Sequence, residues 1–263
     1  MASARSYILF GVVLCLGSPA VWAQSVTVNT SLTLTGLTIT ASDATVNFTT
    51  PGVSTYAQAL DSLGGSASQS GTTSASAATS VANGSGTGSA SALTGGVTAN
   101  VFIPDNVAGF ASSEGDSSLV GAFEITGTLS PVDVTFTASL SNDQYLNTDA
   151  NGQSAYSETI FLLSVPNASS DALLGSDNLL TLSGPNQSAG SGGAQPLSLT
   201  TTILLQPNTP YSFTSTLDAE ANGYGVLAVP DGSDPVALVL VALGLSAAFC
   251  GLITRKPRPA ERG

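Results

Sequence analysis

The chain has 263 residues, a formal net charge of −12 at neutral pH, no histidine and two cysteines. Charged side chains are 8% of it, against roughly 25% in an average soluble domain. Without imidazole there is neither a His general base nor a His metal ligand, and five basic residues cannot build a phosphate-binding patch, so nucleic acid is not an expected partner.

Residues 1–23 read as a secretory signal peptide. Arg5 supplies the positive n-region and Ile8–Leu16 the apolar h-region. The small Ala23 stands at the expected cleavage site, with Val21 two residues before it.

From residue 24 the pattern is that of β-strands. Val26, Val28, Leu32 and Leu34 share one face, and after Gly36 the apolar parity changes to Leu37 and Ile39, which predicts a bulge or turn at Gly36. Val46 and Phe48 continue the alternation. Residues 64–96 are rich in Gly, Ala, Ser and Thr, and within 64–92 these four types account for 26 of 29 positions. That stretch reads equally as a flexible linker or as small-residue strands packed closely against a neighbouring sheet or at its edge.

Leu119, Phe123, Ile125 and Leu129 alternate up to a turn at Ser130-Pro131, and Val132, Val134, Phe136, Ala138 and Leu140 alternate after it, which predicts a hairpin. Ile160-Phe161-Leu162-Leu163 is apolar on both faces, as a central strand would be. Leu197, Leu199, Ile203 and Leu205 lead through residues 206–210 to Tyr211, Phe213 and Leu217, a second predicted hairpin. No ten-residue stretch of the body has helical apolar spacing. The expected fold of residues 24–228 is therefore all-β, an antiparallel β-sandwich of about eight strands with a Val, Leu, Ile and Phe core.

The C-terminal segment, 229–263, has three parts. Val229-Pro230-Asp231-Gly232-Ser233 opens it. Residues 236–254 follow without a charge, long enough at about 1.5 Å per residue to cross a bilayer core of about 30 Å as a transmembrane helix. Arg255, Lys256 and Arg258 then form a basic stop, which leaves the preceding chain outside the cytoplasm. A lipid-anchor signal would end in its apolar tail instead.

This tripartite end resembles the PEP-CTERM sorting signals of bacteria, in the VPDSG-like variant. It departs from that pattern in having Gly232-Ser233 in place of Ser-Gly, and in the added Asp234-Pro235. The resemblance covers the C-terminal segment alone. It implies recognition by a membrane-embedded sorting transpeptidase, an exosortase, and membership of the surface, extracellular-matrix and biofilm components of bacteria that make exopolysaccharide.

Setting the ends aside sharpens the chemistry. Arg5, Arg255, Lys256, Arg258 and Arg262 all lie in the flanks, as do Cys15 and Cys250, whereas 16 of the 17 carboxylates lie between residues 24 and 234. The body therefore has no disulfide, thiolate, side-chain cation or strong base other than carboxylate, which removes Ser/His and Cys/His nucleophilic catalysis and Lys- or Arg-assisted phosphoryl transfer. Glycoside hydrolysis needs only two carboxylates, and Glu114 with Asp116, or Asp218 with Glu220, supply such pairs. Both pairs read as lying in or beside loops, and no Trp survives export, so catalysis is not expected.

Asn147, Asp149 and Asn151 alternate before Gly152, and Glu158 is the twelfth residue from Asn147. The spacing resembles a Ca²⁺ loop. The alternative is an Asn/Asp/Gly turn between two strands. No other cofactor is expected. The composition points to an exported structural or adhesive protein of the cell surface or matrix. Its rivals are a carbohydrate- or Ca²⁺-binding module and, last, a carboxylate-only glycoside hydrolase.

Overall fold

The computed structural model describes residues 25–226, apart from 63–64, 79–84, 92, 105–106 and 169–171. The signal-peptide, transmembrane and sorting segments lie outside the described residues. Thirteen strands account for most of what is described: β1 (Val26–Ala41), β2 (Thr45–Asp61), β3 (Ser66–Gly71), β4 (Ser74–Ala78), β5 (Ser85–Ser91), β6 (Thr94–Ile103), β7 (Gly109–Thr126), β8 (Val132–Thr148), β9 (Ser154–Ser164), β10 (Ala172–Ser183), β11 (Gln187–Gly190), β12 (Gln195–Leu205) and β13 (Pro210–Gly225). Among the described residues no helix is long and apolar enough to cross a membrane.

The strands form two antiparallel sheets facing each other across one core. The first has the order β11-β8-β1-β6-β5-β4, with β12 also on β8 in line with β11, and the second has β10-β9-β13-β7-β2-β3. The sandwich is as expected, with more and shorter strands at its edges than the apolar pattern disclosed. The parity change at Gly36 is a β-bulge: the β1–β8 register shifts between Leu34 and Gly36, and Leu34, Leu37 and Ile39 are all buried on the same side.

Both predicted hairpins prove to be crossings between sheets. β7 pairs β13 and β2, whereas β8 pairs β1, β11 and β12, so residues 127–131 carry the chain from one sheet to the other. Residues 206–209 do the same between β12 and β13. Alternation records which side of a strand meets the core. It does not record whether the next strand lies beside it or opposite, about 10 Å away. Leu129, expected on the strand, sits in the first crossing and is 93% exposed. Ile160–Leu163 does lie in an interior strand, β9, but only Phe161 and Leu163 are buried, and Leu162 faces outward.

The core has two textures. One part is built of large side chains centred on Phe123, whose ring lies 5.8 Å from that of Phe136 in the facing sheet, edge-on, and 5.5 Å from that of Tyr211, stacked. Such geometry adds about 0.5–1.5 kcal/mol per pair beyond the area buried. The Tyr211 hydroxyl accepts from the backbone N–H of Gln206 at 2.9 Å, so the one polar atom of that cluster is satisfied.

The other part is built of small residues. On β7 the inward positions are Ala111, Ser113, Gly115 and Ser117, and opposite them lie β5 and β6. A Cβ added at Gly115 would stand 2.3 Å from the Thr87 carbonyl oxygen, and one added at Gly88 would stand 2.2 Å from that of Asp116. The backbones of the two sheets touch here. The described parts of the Ser/Gly-rich stretch are thus mostly strand, with β3, β4 and β5 closing one side of the sandwich.

β1 begins and β13 ends at one pole of the sandwich, where a Cβ at Gly223 would lie 3.2 Å from Cγ1 of Val26. The Gly115→Ala protein should lose about 1–3 kcal/mol, because the obstructing atoms are backbone and cannot rotate away. Gly36→Ala, with nothing within 4 Å of the added carbon, should stay within about 0.5 kcal/mol of the parent. Denaturant midpoints of the two variants compare them directly.

Candidate functional site

The turn joining β8 to β9 holds two of the four residues with Ca²⁺-loop spacing, Asp149 and Asn151, and Asn147 lies at the end of β8 just before it. Its conformation is set by Gln153, whose Oε1 accepts from the backbone N–H groups of Asp149 and Ala150, each at 2.8 Å. Gly152 takes a positive φ of 81° that a side chain would strain. Asn147 Nδ2 donates to Asp149 Oδ1 at 2.7 Å, and Ser25 donates to Oδ2 from both N and Oγ at 3.2 Å. The Asp149 carboxylate thus ties the start of β1 to the end of β8. Asn151 is exposed at the tip. Glu158 stands four residues into β9, about 13 Å along it at ~3.3 Å per residue, on the outward face, where it accepts from the Tyr156 hydroxyl. The chain does not bring Asn147, Asp149, Asn151 and Glu158 around one point. The arrangement is that of a turn.

The outward face of the second sheet carries a denser constellation. Asp116 on β7 lies directly opposite Asp218 on β13, and Glu114 directly opposite Glu220. Glu158 on β9 opposes Glu220 from the other side. The two carboxylate pairs that the sequence offers separately are one cluster, and they sit mid-strand, where loops were expected. The stretches of β7 and β13 that carry them went unread because the inward residues there, at 111–117 and 219–225, are Ala, Ser and Gly, which show no apolar alternation. What remained legible was the spacing of two within each pair, which puts both members on one face of a strand.

Glu114, Asp116 and Asp218 each offer an oxygen within 4.8 Å of the others. Like charges directly opposite one another destabilise a sheet, and burial, with this repulsion added at two of them, raises three of the carboxyls above their ordinary range. Asp218 is pushed up to about 7, first by burial and then by Asp116, Glu114 and Glu220. Asp116 is raised by burial, partly offset by its hydrogen bond with Asp218. Glu114 is raised by burial, then by Asp116 and Glu220. Oδ1 of Asp218 is buried without a hydrogen-bond partner. Asn222 Nδ2 donates to Glu220 Oε1 at 2.6 Å. Burial and the bond to Glu158 push the Tyr156 hydroxyl up. Chemically, the cluster can share protons or take a hard divalent cation on its oxygens.

Beside the cluster on the same face is a shallow depression of about 330 Å³, lined by Phe110, Tyr156, Tyr224, Asn222, Thr181 and Leu182 among others. Phe110 and Tyr224 are cross-strand neighbours, and both rings are nearly half exposed. Asn222 links the depression to Glu220. No family model, curated protein or solved structure matches the chain.

Because the folded carboxyl of Asp218 holds its proton up to about pH 7 whereas an ordinary aspartate releases it near 3.8, the folded state binds more protons between those values. The stability that this proton contributes is complete below 3.8 and is lost as the pH rises through 7. The melting temperature should therefore fall between pH 4 and pH 8, and Asp218→Asn should flatten the fall chiefly by raising the pH 8 value. A parent protein whose melting temperature rises over that range contradicts the assignment. At pH 8, millimolar Ca²⁺ should raise the melting temperature of the parent and of Asp149→Ala/Glu158→Ala, but not of Asp116→Asn/Asp218→Asn.

Proposed function

We propose that the protein is an exported structural or adhesive component of the cell surface or extracellular matrix. In this reading it is carried out by its signal peptide, held in the membrane by the helix at 236–254, and handed to an exosortase-type transpeptidase at Val229-Pro230-Asp231-Gly232-Ser233, with Arg255, Lys256 and Arg258 left in the cytoplasm. The observation that supports it best is the common pole of β1 and β13. Among the described residues every strand lies between Val26 and Gly225, so trimming the chain outside those two residues would leave the described sandwich whole. The body's charge is compatible with the same role: a surface carrying only carboxylates stays soluble and repels anionic polymers.

Expression of the full chain in a host with and without an exosortase tests the reading. The host that has the enzyme should yield a product shortened at both ends, and replacing Val229, Pro230 and Asp231 by Ala should leave the C-terminal segment attached. An intact, cytoplasmic chain in both hosts overturns it.

One observation favours a second reading, a module that binds carbohydrate. The depression beside the carboxylates offers aromatic faces from Phe110, Tyr156 and Tyr224 for the apolar side of a sugar ring, and acceptors from Glu220 and Glu158 for its hydroxyls. It suits a neutral saccharide and repels an anionic one. Binding of a purified neutral exopolysaccharide should be lost in Phe110→Ala/Tyr224→Ala and retained in Asp149→Ala.

A further inference from the structure

The two sheets have their edges at β10, β11 and β12 on one side and at β3 and β4 on the other. An edge strand presents a row of unused N–H and C=O groups, and proteins that stay monomeric blunt such edges with shortness, charge or bulges. β3, β4 and β11 are short, with 6, 5 and 4 residues. β10 has 12 residues, but it carries the exposed Asp177 and a register shift between Ala172 and Leu174. β12 has none of these devices beyond Pro196 near its start. Its 11 residues, Gln195–Leu205, pair with β8 in unbroken register and include no charged side chain. Among the described residues nothing pairs with its other side.

We infer that β12 is an assembly edge, and that its occupant is β12 of a second copy of this chain, antiparallel and related by a two-fold axis near Thr200. Three observations select that occupant. First, residues 178–217 are 40 consecutive positions without Asp, Glu, Lys or Arg. In a body whose charges are all carboxylates, copies repel one another, and β12 is a long uncharged edge where they can meet. Second, the core is incompletely covered at this edge. Leu197, Leu199 and Ile203, on its inward side, are only partly buried. With the axis near Thr200, Leu197 of one copy meets Ile203 of the other on the inward side, which prolongs the core. Third, the outward side is already matched to itself. Thr200 and Thr202 bond across the strand to Thr137 and Thr135, at 3.3 and 2.9 Å, and the pairing would set Thr202 against Ser198 of the second copy in the same hydroxyl ladder. Backbone hydrogen bonds provide the attraction and the alternation of β12 fixes the register. The inference deepens the structural reading and rests on it for the place where copies meet, but pairing itself requires no sorting enzyme.

The test uses the full chain purified in detergent. Sedimentation measures association of three proteins: the parent, the edge variant Ser198→Lys/Thr202→Lys, and the control Thr38→Lys/Thr40→Lys, which places the same charge on the interior strand β1 of the same outward face. Association of the parent and control, with at least tenfold weaker association of the edge variant, is expected. Backbone amide exchange in the parent at low and high concentration gives an independent reading that needs no variant: exchange within β12 should slow at the higher concentration. Equal association of all three proteins overturns the inference, and so does β12 exchange that ignores concentration. Because no export is involved, failure here and failure of sorting are separate results.

Discussion

The sandwich depends on how closely its two sheets approach. Where large side chains lie between them, Phe123 reaches across to Phe136 and the separation is that of an ordinary core. Where β5 and β6 cross β7, glycine is required, because the carbonyls of Thr87 and Asp116 occupy the space a Cβ would need at Gly115 and Gly88. The sheets are therefore tapered, and the taper decides which residues are available on the outside. The carboxylates of β7 flank Gly115 on the opposite side of the strand, so a close approach of the two backbones lies directly beneath the acidic cluster.

That arrangement places an electrostatic liability over a rigid support. Asp116 faces Asp218, and Glu114 faces Glu220, with no side-chain cation anywhere in the described residues to relieve them. A flexible loop would let the carboxyls separate into solvent. Mid-strand pairing in an unbroken register holds them together, and proton retention is the remaining response. Burial is the largest cause at each of the three raised groups, with mutual repulsion adding to it at Asp218 and Glu114. The same lack of cations explains why Asp149 is satisfied by Ser25 and Asn147 instead of an ion pair. Neutral donors do in this protein what Lys and Arg do elsewhere.

The distribution of charge along the chain is as informative as its sum. The carboxylates gather on β7, β9 and β13 of the second sheet, while the stretch through β11 and β12 carries none. One outer face is thus acidic with an aromatic-lined depression beside it, and one edge is neutral with hydroxyls above and aliphatic groups below. A surface component needs both solubility and a place where it can touch something, and these two properties occupy different strands.

Several features were set by the amino-acid order alone. The strand character of the body follows from period-two alternation, and the bulge at Gly36 from the parity change between Leu34 and Leu37. The absence of imidazole, thiolate and amine chemistry follows from composition. Strand pairing was not legible, because alternation has the same form whether the next strand lies alongside or across the core, and both apparent hairpins, at 127–131 and 206–209, turned out to cross. The stretches of β7 and β13 that carry the acidic cluster were hidden because the inward residues there are small, and on β7 the reason for the small residues is a backbone in the other sheet that no local pattern contains. Only the tertiary structure could bring Asp116 to Asp218, about a hundred residues apart, and separate Glu158 from Asp149, nine residues apart: contact across a sheet is decided by register between strands, not by distance along the chain.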